Sequence, residues 1–175
     1  MQQRTKDLLD TQKEMIERLG LAAEYRDNET AAHTIRVGLY SEIIAKALGL
    51  DDKESEQIKL AAPMHDIGKI GIPDSMLLKK EKLNNDEWEL LKKHAEFGYG
   101  IFKGSKSSIL KNAGIIALTH HEKWDGSGYP SGLKGNDIHL YGRITAVSDV
   151  FDALTISRPY KKAWLLEDAI KLIND

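Results

Sequence analysis

The segment His65-Asp66-Ile67-Gly68-Lys69 closes an apolar run with an imidazole and a carboxylate side by side, and any fold of this chain has to satisfy both. Neutral imidazole nitrogen and ionised carboxylate oxygen are metal ligands, and a carboxylate can bridge two cations as one imidazole cannot. Lys69, three residues after the aspartate, is placed to meet a phosphate carried by such cations. The same five residues also read as a helix ending in a polar turn, with Gly68 as its C-cap and Lys69 solvated. The other histidines decide between the two readings.

Their setting is a helical chain. Residues 5–26 carry Leu8, Met15, Leu19 and Ala22 on one narrow stripe, which could cap the domain and is better suited to pairing with a partner chain or to the tail of a helix from an upstream module. A second helix over about 28–48 shows Ile35, Leu39 and Ile43 in core spacing and ends at Gly49. Glu29 and His33 stand four apart near its start, so they share a face, as an ordinary surface pair also would. A third helix opens at Asp51-Asp52 and runs toward His65, with Pro63 predicting a kink or a lost hydrogen bond just before it. Residues 70–78 read as a loop and turn. Asn84 or Asn85 then caps a fourth helix bearing Trp88, Leu91 and Ala95, which sets His94 beside an apolar stripe, where a lone histidine is more often a core or boundary residue than a ligand.

The fifth helix begins near Ser107-Ser108 and passes through Ile109, Ala113, Ile116 and Ala117 into His120-His121. Two adjacent buried rings would each need hydrogen-bond partners, so this pair already favours ligands over core. Glu122 to Gly135 follows, too rich in glycine for a helix, with Trp124 and Tyr129 offering faces to a base or simply pinning a surface loop. A sixth helix over about 141–156 has Ile144, Val147, Phe151 and Leu154 in core spacing. Asp149 and Asp152 lie on adjoining faces of it, and buried carboxylates there need cationic partners. Arg158-Pro159-Tyr160-Lys161 is a short basic turn able to hold phosphate oxygens, and a last helix covers 166–173. The expectation is an all-α single domain of about seven helices with one glycine-rich loop.

Composition bounds the chemistry. With 175 residues and a formal charge of −2, the chain suits one domain and has no global basic field for DNA or an anionic membrane, so a phosphate site must be local. Cysteine is absent, which removes disulfides and thiolate metal sites. No apolar run approaches ~18 residues, and the polar start Met1-Gln2-Gln3-Arg4 is unlike a signal peptide, so a cytoplasmic location is expected.

Together His33, His65, Asp66, His94, His120, His121 and Asp149 offer nitrogen and carboxylate ligands from several helices, with Glu29 as a further oxygen. One octahedral ion cannot use so many, but two or three ions bridged by Asp66 can. Oxygen and nitrogen ligands without sulfur suit iron or manganese, with zinc or nickel as alternatives. Paired metals ~3.5–4 Å apart polarise a phosphoryl oxygen, acidify a bridging water and orient an in-line attack. That chemistry is phosphoester hydrolysis.

The ordered set His33, His65-Asp66 and Asp149 resembles the HD phosphohydrolase superfamily. The run HHEKWDGSGYP from His120 to Pro130, with DVFDAL from Asp149 and RPYK from Arg158, resembles its HD-GYP subgroup over about residue 22 to the end. The resemblance implies an all-helical phosphodiesterase that opens cyclic di-GMP to pGpG, and in some members on to GMP, through a metal-bridging hydroxide. Carried over, one metal is held by His33, His65, Asp66 and Asp149, and a second by Asp66, His94, His120 and His121. Glu29 stands where members with a third metal have a glutamate. Lys69 would face the scissile phosphate and act with Asp66 in catalysis. Arg158 and Lys161 would bind phosphate oxygens, Tyr129 would line the nucleotide pocket, and Asp152 would support the ligands from behind.

The chain departs from the pattern at Lys79-Lys80-Glu81-Lys82, where Lys-Pro-Gly-Lys is usual, and at Ile138-His139, where Ile-Pro is common. His139 reads as a solvated loop residue. Family domains also normally continue past a point like Asp175. Residues 1–22 are therefore read as a connector helix from a sensor or receiver module, and 23–175 as the phosphodiesterase domain. The connector could also form a homodimer, and the resemblance implies diguanylate cyclases as partners of the GYP loop. Two other readings remain: a hydrolase of another cyclic dinucleotide such as cyclic GMP-AMP, and a non-catalytic receptor.

Overall fold

The computed structural model describes residues 2–24, 31–157 and 162–174, and all regular structure among them is helical. Helix α1 spans Gln2–Glu24, α2 Ala31–Ala47 and α3 Asp52–Ala61. The last is opened by a capping box in which the Glu54 N–H donates to Asp51 Oδ1 at 2.7 Å and Glu54 reaches back to the Asp51 N–H. After α3 the chain tightens into two 3₁₀ turns, Ala62–Met64 and Ile67–Gly71, with His65 and Asp66 between them. The expected kink at Pro63 is thus a full stop to α3. Proline lacks the N–H that an α-turn would use, and it sits instead inside the first 3₁₀ turn.

Helices α4 (Asp74–Leu77), α5 (Asn85–Lys92), α6 (His94–Phe102) and α7 (Ser108–Thr119) follow. A loop with a 3₁₀ turn at Gly135–Asp137 then leads to α8 (Leu140–Thr155) and α9 (Leu166–Asn174). Asn84 and Glu87 form the capping box of α5. The single fourth helix expected through Ala95 is divided at Lys93, so that His94 opens a new helix. α2 packs between α3 and α8, while α6 packs along α7 and against the second 3₁₀ turn. Val37, Ile58, Met64, Ile116 and Ile144 lie in the shared core.

Two expected core faces are corrected. On α2, Ile35, Leu39 and Ile43 are exposed, and Val37, Ser41 and Ala45 are buried instead. This helix is apolar on most sides, so spacing alone picks no face. The inward face is set by His33 and by small side chains that let α8 approach, with Ser41 Oγ 3.0 Å from Ser148 Oγ. On α8, Ile144 and Leu154 are buried as expected. Val147 is exposed, and Phe151 meets Tyr40 edge-on at 5.2 Å while Thr145, Ser148 and Asp152 turn inward. The interface of the two helices is polar because it carries the support of the site. On α1, Met15 and Leu19 remain exposed while Ile16 enters the core.

Candidate metal centre

Each sequence-proposed ligand among the described residues arrives from a different part of this fold. His33 comes from α2, His65 and Asp66 from the gap between the 3₁₀ turns, His94 from the start of α6, His120 and His121 from just past α7, and Asp149 from α8. They form two groups, Asp66 with His94, His120 and His121, and His33 with His65 and Asp149. Within each group one ligand atom per residue lies within 4.8 Å of all the others.

Asp66 faces both groups. Its Oδ1 is 3.2 Å from His94 Nε2 and 3.5 Å from His120 Nε2, while Oδ2 is 3.4 Å from His65 Nε2. In the other group His33 Nε2 stands 3.4 Å from Asp149 Oδ1. Gly68 makes this convergence feasible, since a Cβ there would overlap the His94 carbonyl oxygen where the second 3₁₀ turn meets α6. Lys69 follows on the same turn, its Nζ 2.7 Å from Asp66 Oδ2.

Four of the imidazoles are oriented from behind by hydrogen bonds. Nδ1 of His65 meets the Ala62 carbonyl at 3.0 Å, that of His94 the Leu91 carbonyl at 2.7 Å, and that of His120 the Ile116 and Ala117 carbonyls at 3.0 Å each. Carbonyls only accept, so the proton sits on Nδ1 and the Nε2 lone pair points into the site. His33 Nδ1 is held by Asp152 Oδ2 at 2.7 Å. Asp152 in turn accepts from Arg36 Nε at 2.5 Å and Nη2 at 2.9 Å.

Charge states match a cation site. Burial pushes the His120 and His121 imidazoles down, so both are neutral near pH 7. Burial pushes the Asp66 carboxyl up, but the Lys69 ammonium beside it outweighs this and holds it well below the usual range. Burial also raises Asp152, and Arg36 and His33 bring it down to about 2. Among these atoms, Nε2 of His94 and His120 and Oδ1 of Asp66 are buried with no hydrogen-bond partner. Buried polar atoms in that state are costly, and inward lone pairs beside an ionised carboxylate are what a divalent cation satisfies. These residues fit metal ions.

The glycine-rich loop closes over one side. Glu122 is buried and accepts the Ser131 N–H at 2.8 Å and the Leu133 N–H at 3.0 Å, tying the loop's far end to its start. Gly128 lies so close to the backbone of residues 121–123 that a Cβ would collide with it, and the Tyr129 N–H donates to the His121 carbonyl at 3.2 Å. The Tyr129 ring therefore stacks on the His121 imidazole, 4.6 Å between centres and 28° between planes. Trp124 turns toward α8 instead, where the Arg143 guanidinium lies 5.6 Å from its ring centre.

Glu29, Arg158 and Lys161 lie outside the described residues. His139 is exposed and accepts from the Tyr141 N–H at 3.2 Å, which gives it an N-cap role on α8. Lys79, in the divergent lysine-rich turn, reaches both carboxylate oxygens of Glu87 at 2.7 Å. Sequence reasoning passed over Arg36 and Glu122. Arg36 stands three residues after His33 on the same helix, and a buried Asp152 already demanded a cation. Glu122 offered only its place directly after the histidine pair.

The chain matches the family model described as HD domain over residues 4–175. It is 51% identical over 158 residues to the 3'3'-cGAMP-specific phosphodiesterase 2 of Vibrio cholerae serotype O1, covering 90% of this chain and 30% of that protein. It is 47% identical over 161 residues to the cyclic di-GMP phosphodiesterase response regulator RpfG of Xanthomonas campestris pv. campestris, covering 92% and 43%. The chain thus spans less than half the length of these curated relatives. Its fold matches a crystal structure of a cyclic GMP-AMP phosphodiesterase of V. cholerae with a TM-score of 0.65 at 18% identity, over 92% of this chain and 43% of the other. With the family model covering nearly the whole chain, the chain belongs to the HD domain family, as the resemblance of its HHEKWDGSGYP string to the HD-GYP subgroup implies.

Proposed function

We propose that this chain is a metal-dependent phosphodiesterase that opens cyclic di-GMP to pGpG, and on to GMP where the product is retained. One observation carries the reading: the Asp66 carboxylate stands between two groups of inward-facing ligands, with the Lys69 ammonium 2.7 Å away. His33, His65, Asp66 and Asp149 would hold one ion and Asp66, His94, His120 and His121 a second, with Glu29 available to a third. Iron or manganese suits these donors best, and zinc or nickel is accommodated by the same set. Bound ions would polarise the phosphoryl oxygen and lower the pKa of water at the scissile phosphorus.

The rest falls to the chain. Lys69, held on Asp66 here, would face the phosphate with Asp66 engaged as a ligand and neutralise charge that grows in the transition state. Arg158 and Lys161 bind the phosphate oxygens, and Tyr129 walls the nucleotide pocket. Asp152, fixed by Arg36, orients His33. Glu122 fixes the loop that carries Tyr129.

A second reading, hydrolysis of cyclic GMP-AMP, is favoured by the 51% identity to a relative named 3'3'-cGAMP-specific. Residues 1–22 serve as a connector from a sensor or receiver module and 23–175 as the catalytic domain. Support for this comes from the words response regulator in the name of the Xanthomonas relative and from the exposed Met15 and Leu19, which suit pairing with a second copy. A cytoplasmic location belongs to this reading; no helix among the described residues is long and apolar enough to cross a membrane. Diguanylate cyclases are proposed partners of the GYP loop.

The test is elemental analysis of protein purified without oxygen, followed by assay of the same sample on cyclic di-GMP and on 3'3'-cGAMP. Two or more metal ions per chain with pGpG appearing supports the main reading, and a larger kcat/KM on 3'3'-cGAMP selects the second. Lys69→Ala should keep its metals and lose about 10²–10³-fold in kcat. Unchanged kcat would remove Lys69 from the mechanism.

A further inference from the structure

A nucleotide substrate needs an aromatic face at the mouth of the metal centre, and the aromatics nearest in sequence do not supply it. One face of Tyr129 is committed to His121, at 4.6 Å and 28°. The Lys92 ammonium, 5.9 Å from the centre of the same ring, holds it further, while Glu89 fixes Lys92 at 2.6 Å. Trp124 belongs to Arg143 and α8. Among the described residues, the remaining aromatic beside Tyr129 at this rim is Trp88 on α5, four residues before Lys92 and so on the same helix face. Its ring stands edge-on to Tyr129, 6.3 Å between centres at 78°, and the residue is 46% exposed.

We infer that Trp88 is the base-stacking residue of the substrate site, taking one purine of the cyclic dinucleotide against its indole beside the Tyr129 wall. This rests on the reading of the site as a cyclic dinucleotide phosphodiesterase and adds where the base goes. An exposed indole is otherwise wasted at that position: it buries no core, since α5 has no buried residue. Its large flat face is sequence-tolerant, as stacking on any purine requires. Tyr129, pinned by its neighbours, forms the adjoining wall rather than a second platform.

The test uses metal-loaded protein of the full chain. Tryptophan fluorescence is followed by stopped flow in the first milliseconds after mixing with cyclic di-GMP, and KM and kcat are measured on wild type, Trp88→Ala and Trp88→Phe. Wild-type fluorescence should be quenched on binding, and the quench should vanish in both variants, because Trp124 and Trp164 lie elsewhere. Trp88→Ala should raise KM about tenfold or more with kcat within threefold and metal content unchanged, and Trp88→Phe should restore most of the KM. A quench that survives in Trp88→Ala, an unchanged KM, or a fall in kcat that follows lost metal would each overturn the inference. A wild-type protein that shows the Trp88-dependent quench but cleaves no cyclic dinucleotide would leave the stacking site standing and overturn the enzymatic reading.

Discussion

Arg36 touches none of the proposed ligand atoms' inward faces, yet replacing it should be felt in both stability and metal affinity. Arg36→Met keeps much of the side chain's length and removes the guanidinium. Asp152, 1% exposed, would lose the two bonds of 2.5 and 2.9 Å and keep the His33 Nδ1 contact at 2.7 Å. Removing one partner of a buried ion pair costs about 3–5 kcal/mol, because a charge is left uncompensated. The Arg36 side chain is 25% exposed, so water can reach the gap, and the low end, about 3 kcal/mol, applies here. For a chain of this size each kcal/mol moves Tm by about 2–4 °C, which predicts a fall of about 6–12 °C in metal-free protein followed by circular dichroism. Asp152→Asn should cost much less in the Arg36→Met background than in wild type, since the charge that needs Arg36 is gone. Asp152, no longer held by Arg36, would fix His33 less firmly, and affinity for the ion that His33 would hold should drop by about 10–100-fold in a metal titration. A Tm within 2 °C of wild type, or strictly additive mutations, would refute the network.

The other consequences are local. Gly68→Ala should force the second 3₁₀ turn away from α6, because the obstacle is backbone rather than a flexible side chain. A cost of about 1–3 kcal/mol is expected, with ions lost first from the group containing His94, and calorimetry with metal counting checks it. Glu122→Ala removes the acceptor of the Ser131 and Leu133 N–H groups, so limited proteolysis should cut the 123–135 loop faster and KM should rise while the core unfolds at nearly the wild-type temperature.

What the sequence made legible follows from where each signal lives. Helix limits were readable where caps are chemical, as at Asp51 and Asn84, each with a glutamate three residues on. Adjacent His120-His121 pointed to ligands because two buried rings need partners that an apolar core does not supply, and it tipped the His65-Asp66 pair, open until then, to the same reading. The inward face of α2 was not readable. Ile35, Leu39 and Ile43 have the right spacing, but His33 must face Asp149 and Asp152, more than a hundred residues away, and that contact rotates the isoleucines outward. His94 was ambiguous for a related reason. Its burial and its bond to the Leu91 carbonyl would serve a core histidine equally well, and only the 3.2 Å approach to Asp66 separates the two. Trp124 and Tyr129 were readable as aromatics but not as to which faces their neighbours occupy.

Asp66 is the centre of the proposed site, since its carboxylate faces both ligand groups. The most direct measurement is the metal content per chain of Asp66→Ala beside wild type, both purified without oxygen and both showing the same helical circular dichroism. Two or more ions are expected in wild type and at most one in the variant, with hydrolysis of cyclic di-GMP abolished. A variant that still holds two ions would contradict this expectation.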